Sequence, residues 1–468
     1  MRGNQRLAEI IEKKRDFFIQ ISDKIWEFAE TRFEERQSAE LLCQALEKEG
    51  FTVERGAAGI ETAFIGSFGS GKPVVAILGE FDALSGLSQN RGVASHDPIQ
   101  EGGNGHGCGH NLLGTGSLAA AVILKQYMEE NQLPGTVRYY GCPGEEGGSG
   151  KTFMAREGVF DDADFALCWH PAPLNGIMPG QSLANYQVYY KFKGRSSHAA
   201  ASPHLGRSAL DAVELMNVGV NYLREHIIQE ARIHYAITNT GGTSPNVVQS
   251  QAEVLYLIRA PKTPQVEEIY QRVCNIARGA ALMTGTEVEI VFDKACSNLI
   301  GNSVLEEAMH KQFSELGVPV FDEAEKELAR AIRTTLTEED TKMFKRIKGL
   351  DNKELADFLL PYTKTGVSFG TGSTDVGDVS WIVPTAQCVT ACMAIGTPFH
   401  TWQLVAQGGT SIGHKGMLHA GKVMAATALE VMQNPELLEA AKAELNRHLE
   451  DEPYVCPIPA DVKPSAIK

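Results

Sequence analysis

The chain has 468 residues, 43% of them apolar and 22% charged, a mix that belongs to folded globular proteins and excludes a disordered or fibrous one. That length exceeds what a single core ordinarily serves, so two domains are expected. A formal charge of −15 argues against a polyphosphate partner, so small molecules rather than nucleic acid are the expected ligands. With no apolar run of about 18 residues, no signal-peptide pattern and nine scattered cysteines, the expected setting is a reducing cytoplasm away from membranes.

Residues 6–50 carry two amphipathic helical patterns. Short apolar runs at 61–68, 73–79, 136–142 and 163–169 read as strands, and a long helical pattern over 112–130 separates two of them. Strands alternating with helices imply an α/β layer with a mainly parallel sheet. From 184 to 298 the order becomes strand, helix, strand, strand, helix, strand, an α+β (ferredoxin-like) unit of about 115 residues that suits an insertion. The flanking residues 1–183 and 299–468 then form one domain, interrupted by that unit. Segment 321–360 is charged and helical in pattern with few large apolar residues, so it reads as a surface insertion. A strand over 386–395 and helices from 402 onward close the chain.

The densest chemical signal is GHGCGHN at 105–111. Thiolate and imidazole are both good metal ligands, and the glycines allow a fold tight enough for Cys108 and His110 to point inward. A Cys and a His two apart are common by chance, so the pair needs support. It comes from the next strand ends: CPGEEGG at 142–148 presents Glu145 and Glu146, and WHP at 169–171 presents His170. In an open parallel sheet, reactive groups gather beyond the carboxyl ends of the strands. Adjacent carboxylates point in different directions, so one can bind metal while its neighbour accepts a proton from metal-activated water. A solvated acidic surface pair is the competing reading. Asp82, after the strand over 73–79, suits the support of a ligand imidazole, with a helix N-cap as the alternative. His400, past the strand over 386–395, is placed to supply a distant ligand.

Three other features are set aside. GEEGGSGKT at 144–152 fails as a phosphate-binding loop, because its first required glycine falls on Glu145. Cys388 and Cys392 lie in an apolar run and read as core. Cys108 as a nucleophile with His110 as its base would leave the carboxylate pair without a task.

Taken together, GHGCGHN at 105–111, PGEEGGSGK at 143–151, WHPAP at 169–173, GRSSHAA at 194–200 and GTPFH at 396–400 resemble the M20 metallopeptidase family, in its amidohydrolase branch. The resemblance implies a zinc-peptidase-like catalytic domain with an inserted lid, or dimerisation, domain. It implies that Cys108, His110, Glu146, His170 and His400 hold one or two divalent ions, manganese or zinc, with Cys108 as the bridge. It implies further that Glu145 is the general acid/base, that Asp82 supports the metal centre, and that His198 on the lid reaches a partner chain's site to stabilise an oxyanion. Asn246 matches a lid asparagine assigned to substrate. The expected reaction is hydrolysis of an N-acyl or N-aroyl amino acid, aminobenzoyl-glutamate-like, or of a dipeptide. The expected assembly is a homodimer or a hetero-oligomer with a homologous subunit; a silent, metal-stabilised partner subunit is the alternative. Two departures from the family pattern are Asn111, where an aspartate is usual, and a long loop over 85–104.

Overall fold

The computed structural model describes residues 3–178, 182–342, 344–347, 349–350, 353–364 and 372–466. In chain order the strands are β1 (Thr52–Arg55), β2 (Phe64–Ser70), β3 (Val74–Glu80), β4 (Gly135–Cys142), β5 (Phe165–Ala172), β6 (Gly176–Met178), β7 (Ala184–Lys193), β8 (Arg232–Asn239), β9 (Gln251–Ala260), β10 (Glu287–Cys296) and β11 (Thr385–Ala391).

The first sheet has the order β1-β2-β4-β3-β5-β11-β6. Its four central strands, β4, β3, β5 and β11, are parallel. The edges are antiparallel: β1 on β2, β2 on β4, and β6 on β11. The expected parallel sheet is therefore the centre of a mixed one. β3 and β11 are buried along their whole length, which is why VVAILGE and TAQCVTA show no polar alternation. One face is covered by the helix His110–Asn131 and by Ser411–Gln433 beside it, both buried through most of their length. The two helices expected over 6–50 are three, Gly3–Lys13, Arg15–Phe28 and Arg36–Lys48. The first two are separated at Lys14, whose φ of −105° and ψ of 8° leave the helical region. An apolar stripe continues across that break through Leu7, Ile10, Ile11, Phe18 and Ile21, so hydrophobic spacing alone did not reveal it.

The second sheet, β10-β7-β9-β8, is wholly antiparallel and drawn from residues 184–296. Its strand order, with helices Ala209–Leu223 and Thr263–Thr284 on one face, is the ferredoxin-like βαββαβ arrangement. Val188, Tyr190, Val254, Tyr256 and Ile258 alternate toward those helices and join one core with Val213, Met216, Val266 and Val273.

Segment 321–360 is not simply a solvated addition. Phe321, Ala329, Ile332, Phe344, Leu350 and Leu355 form an apolar cluster with Ala391, Ala394, Ile395, Ala406 and Ile412. The high charge density hid this core, because a few well-spaced apolar residues suffice for one buried face. Ile395 N–H donates to Glu354 O at 2.9 Å, and Gln403 Nε2 donates to Thr335 Oγ1 at 3.3 Å. The insertion thus braces both sides of the loop that carries His400. Among the described residues no helix is long and apolar enough to cross a membrane.

Candidate metal centre and active site

Four chain segments meet beyond the carboxyl ends of the central parallel strands. β3 ends at Glu80, with Asp82 two residues on, and β4 ends at Cys142 and passes through Gly144 into the helical turn Glu145–Gly148. Gly144 has a φ of 66°, which side chains disfavour, and this sharp reversal turns the carboxylate pair back over the sheet. Gly109, with a φ of 78°, makes the corresponding reversal before His110, the first residue of its helix. A Cβ on Gly109 would stand 3.1 Å from Pro171, so glycine also permits the close approach of the Cys108 loop to β5. His400 has a φ of 59° and donates its backbone N–H to Gly107 O at 2.8 Å, tying the His400 loop to the Cys108 loop.

His170 lies inside β5 rather than beyond its end. Pairing with β11 continues through His170 opposite Val389 to Ala172 opposite Ala391, so the strand outruns the apolar pattern that suggested its limit.

The side chains converge. Cys108 Sγ is 3.4 Å from His170 Nε2, and His400 Nε2 is 3.2 Å from Glu146 Oε2. Potential donor atoms of Cys108, His110 and His170 lie within 4.8 Å of one another, as do those of Cys108, Glu146 and His400. Cys108 belongs to both groups. His110 is fully buried, whereas the His400 side chain is 54% exposed, so the cluster opens on one side to an incoming molecule.

Two imidazoles are held by their second nitrogens. His110 Nδ1 donates to Asp82 Oδ1 at 2.9 Å, and His170 Nδ1 donates to Pro171 O at 2.8 Å, leaving each Nε2 as the available donor atom. Asp82 Oδ2 accepts the Glu146 backbone N–H at 2.8 Å, so one carboxylate orients two candidate ligands. No helix follows Asp82, which removes the N-cap alternative. Asp82→Ala is expected to weaken divalent-ion affinity roughly 10- to 100-fold. Competition against a metal-binding dye measures this; unaltered affinity would contradict the role given to Asp82.

His110 Nε2 and Glu146 Oε1 are buried and make no hydrogen bond, a costly state for polar atoms and the one a cation would relieve. The donor set of thiol, imidazoles and carboxylate suits zinc, manganese or cobalt. Electrostatics agree with that fit. Burial, then Glu146, pushes the Cys108 thiol well up, an effect the His110 imidazole only partly offsets. A thiol so placed is a poor nucleophile by itself and becomes a thiolate ligand when a cation is near. Burial raises Glu145 well above the carboxylate range, with Glu80, Glu146 and Asp375 adding to the rise. Glu146, despite burial, is drawn down to about 2 by the imidazoles of His400 and His110. The adjacent carboxylates thus differ in character, one ready to hold a proton and one ionised.

Three members of this region were not singled out from sequence. Glu80 Oε2 is 3.4 Å from His110 Nε2, and Glu80 joins His110 and Glu145 in a third group with donor atoms within 4.8 Å. Lys151 is fully buried, 2.7 Å from Glu80 and 2.6 Å from Asp375. The failed phosphate-loop motif contained Lys151, but its partner Asp375 is 224 residues away in sequence. His198 and Asn246 are not part of the cluster. His198 is exposed, and its Nδ1 accepts the backbone N–H groups of Ala200 and Ala201 at 3.2 and 3.1 Å. Asn246 is exposed beside it, its carbonyl accepting Ala199 N–H at 2.9 Å. Asn111 turns from the cluster into the core, donating to Ser22 Oγ at 3.1 Å and Gly408 O at 3.0 Å.

Residues 76–462 match the family described as Peptidase family M20/M25/M40. The chain belongs to the M20 peptidase family. As an M20 protein it is a hydrolase of the amidohydrolase and peptidase class. It is 54% identical to the B-type subunit of p-aminobenzoyl-glutamate hydrolase from Escherichia coli (strain K12), over 99% of this chain and 98% of that one. It is 29% identical to the Xaa-Arg dipeptidase of Mus musculus, over 96% and 93% of the two chains. Its fold is shared with a dinuclear metal-binding M20 peptidase from Bacillus subtilis, with a TM-score of 0.55 at 17% identity over 90% of this chain and 99% of that one.

Proposed function

We propose that this M20 hydrolase is metal-dependent and cleaves the amide bond between an acyl or aroyl group and an amino acid, of the kind found in aminobenzoyl-glutamate. The observation that carries this reading is the convergence of Cys108, His110, Glu146, His170 and His400 around two orphaned buried donor atoms, with Glu145 alongside. The substrate for which the 54% identical relative is named supports the choice of amide.

Those five residues would hold one or two divalent ions, with Cys108 common to both groups. Ions bound there would supply acidification of a water molecule and polarisation of the scissile carbonyl. The chain's own contribution is proton management and positioning. The Glu145 carboxylate takes a proton from the attacking water, and burial among Glu80, Glu146 and Asp375 favours its retention until the leaving amine nitrogen accepts it. Asp82 fixes the His110 ring and the Glu146 backbone, so the cluster does not reorganise during turnover.

Residues 184–298 act as the lid and pairing domain in this reading. The exposure of His198 and Asn246 together on one surface supports a role for them in the active site of a second chain. An uncovered apolar surface on the same unit includes Tyr222, 74% exposed, Val218, and Tyr235 and Ile237 on the edge strand β8. Such an edge invites a partner. The homodimer is the simplest occupant, and the relative's designation as a subunit supports a homologous chain as the other.

A substrate panel tests the reaction class. Metal-loaded protein is expected to release free amine from aminobenzoyl-glutamate or a related N-acyl amino acid. Absence of amine release from N-acyl amino acids and dipeptides alike would overturn the reading.

A further inference from the structure

The turn Glu145–Gly148 bears both carboxylates of the catalytic pair, yet its four residues are too few for helical hydrogen bonding to fix its shape. It is held from outside, by residues 30–35 between the helices Arg15–Phe28 and Arg36–Lys48. At the start of the turn, Glu35 Oε1 accepts the Gly144 N–H at 2.8 Å, while Glu35 Oε2 accepts from Thr62 Oγ1 at 3.0 Å. At its far end, Arg32 Nη1 donates to Gly147 O. Between them the Phe33 ring closes on the glycines, so that a Cβ on Gly148 would stand 2.6 Å from it. Phe33 has a φ of 59°, a conformation that bulky side chains rarely adopt, so the local chain is shaped to the turn rather than to its own preference. The segment is itself anchored next to Asp82, since Ala83 N–H donates to Glu30 O at 2.8 Å.

Arg32 also reaches the second sheet. Its Nη1 and Nη2 lie 3.2 and 3.3 Å from Oδ2 and Oδ1 of Asp293 on β10, a two-point contact between planar groups. The two side chains are 4% and 5% exposed, and Gln187 Nε2 holds Asp293 from the other side at 2.7 Å. One guanidinium thus joins a backbone carbonyl of the catalytic turn to a strand of the inserted unit. A buried ion pair is a costly way to secure a fold, because apolar residues of similar volume often serve as well. What such a replacement would lose is the hold on Gly147 O.

We propose that Arg32 is a positioning residue for catalysis: fixed by Asp293, it holds the Gly147 carbonyl and so sets the direction in which Glu145 presents its carboxylate. Glu35 secures the opposite end of the same turn. The assignment rests on the acid/base role given to Glu145 in the amide-hydrolase reading and adds to it the group that aims that carboxylate.

The test compares Arg32→Met with the double variant Arg32→Met/Asp293→Asn. The single variant strands the Asp293 charge and should lose stability, and the double variant, which removes both charges, should regain most of the urea midpoint. Turnover should not return with it: at equal metal content, kcat of the double variant on aminobenzoyl-glutamate is expected to stay roughly 10- to 100-fold below wild type, with KM changed by less than about 3-fold. A second readout needs no turnover. Hydrogen–deuterium exchange over residues 143–149 should be faster in the double variant than in the wild type. Recovery of kcat together with stability would make Arg32 a purely structural residue and overturn the proposal, as would unchanged exchange at the turn. Faster exchange at the turn, in a protein whose wild type cleaves no amide, would uphold the hold on the turn and overturn the hydrolase reading instead.

Discussion

Glu145→Gln is expected to keep full metal content and to lose roughly 100- to 10,000-fold in turnover, the range a positioned acid/base contributes. The amide is close in volume to the carboxyl group it replaces, and Glu145 is not among the five residues assigned to the ions. Fold and metal affinity should therefore survive. What disappears is a group that alternates between accepting and donating a proton, a role its surroundings favour: burial, with Glu80, Glu146 and Asp375 nearby, raises its proton affinity. The effect should fall on kcat, because an interaction made only in the transition state lowers kcat and kcat/KM together. Metal content by atomic emission and steady-state kinetics on one preparation check the point. Near-normal turnover with the metal in place would remove Glu145 from the mechanism.

Lys151→Met is expected to destabilise the fold by about 3–5 kcal/mol, because removing one partner of a buried ion pair leaves uncompensated charge. Lys151 has no exposed surface and neutralises Glu80 and Asp375, which come from distant parts of the chain. Its backbone N–H also donates to Asp375 Oδ2 at 2.8 Å, so the lysine pins residue 375 to the helix Gly150–Arg156 that follows the turn carrying Glu145. Adding Glu80→Gln and Asp375→Asn to Lys151→Met should recover a substantial part of the loss by removing the stranded charges. Urea unfolding of the three proteins measures this, and wild-type stability in the single variant would show that the triad is not a structural tie.

The site was legible where chemistry follows local pattern and illegible where it depends on distant partners. Glu145, Glu146 and His400 stood out because each lies in a turn or loop after a buried run, the signature of a strand end in a parallel sheet, and Cys108 and His110 because they sit together in GHGCGHN. Asp82 stood out because it follows the buried strand β3 directly. Glu80 escaped because it is the last residue of β3, where a single carboxylate looks like the polar end of a strand. Lys151 escaped because nothing nearby in the chain reveals that it is buried, or that Asp375 meets it. His170 was recognised but placed beyond a strand that in fact contains it, since Pro171 suggests a break and the pairing with β11 overrides it.

In the fold, the second sheet and its two helices were legible because their alternating strands and long amphipathic helices carry clear periods, whereas β1 and β6 span only 4 and 3 residues, too few to establish one. Segment 321–360 shows the limit of composition. Its charges describe the exposed side, while Phe321, Ile332 and Phe344 decide where it packs, behind the loop that presents His400.

The central claim is that hydrolysis depends on divalent ions held around Cys108. Its most direct test is a titration of chelator-stripped protein with manganese or zinc, following bound metal and amide cleavage in the same samples. Activity that vanishes on stripping and returns in proportion to metal bound, reaching saturation at one or two ions per chain, is the predicted result. Amide cleavage that survives stripping and is abolished instead by a thiol reagent would contradict it.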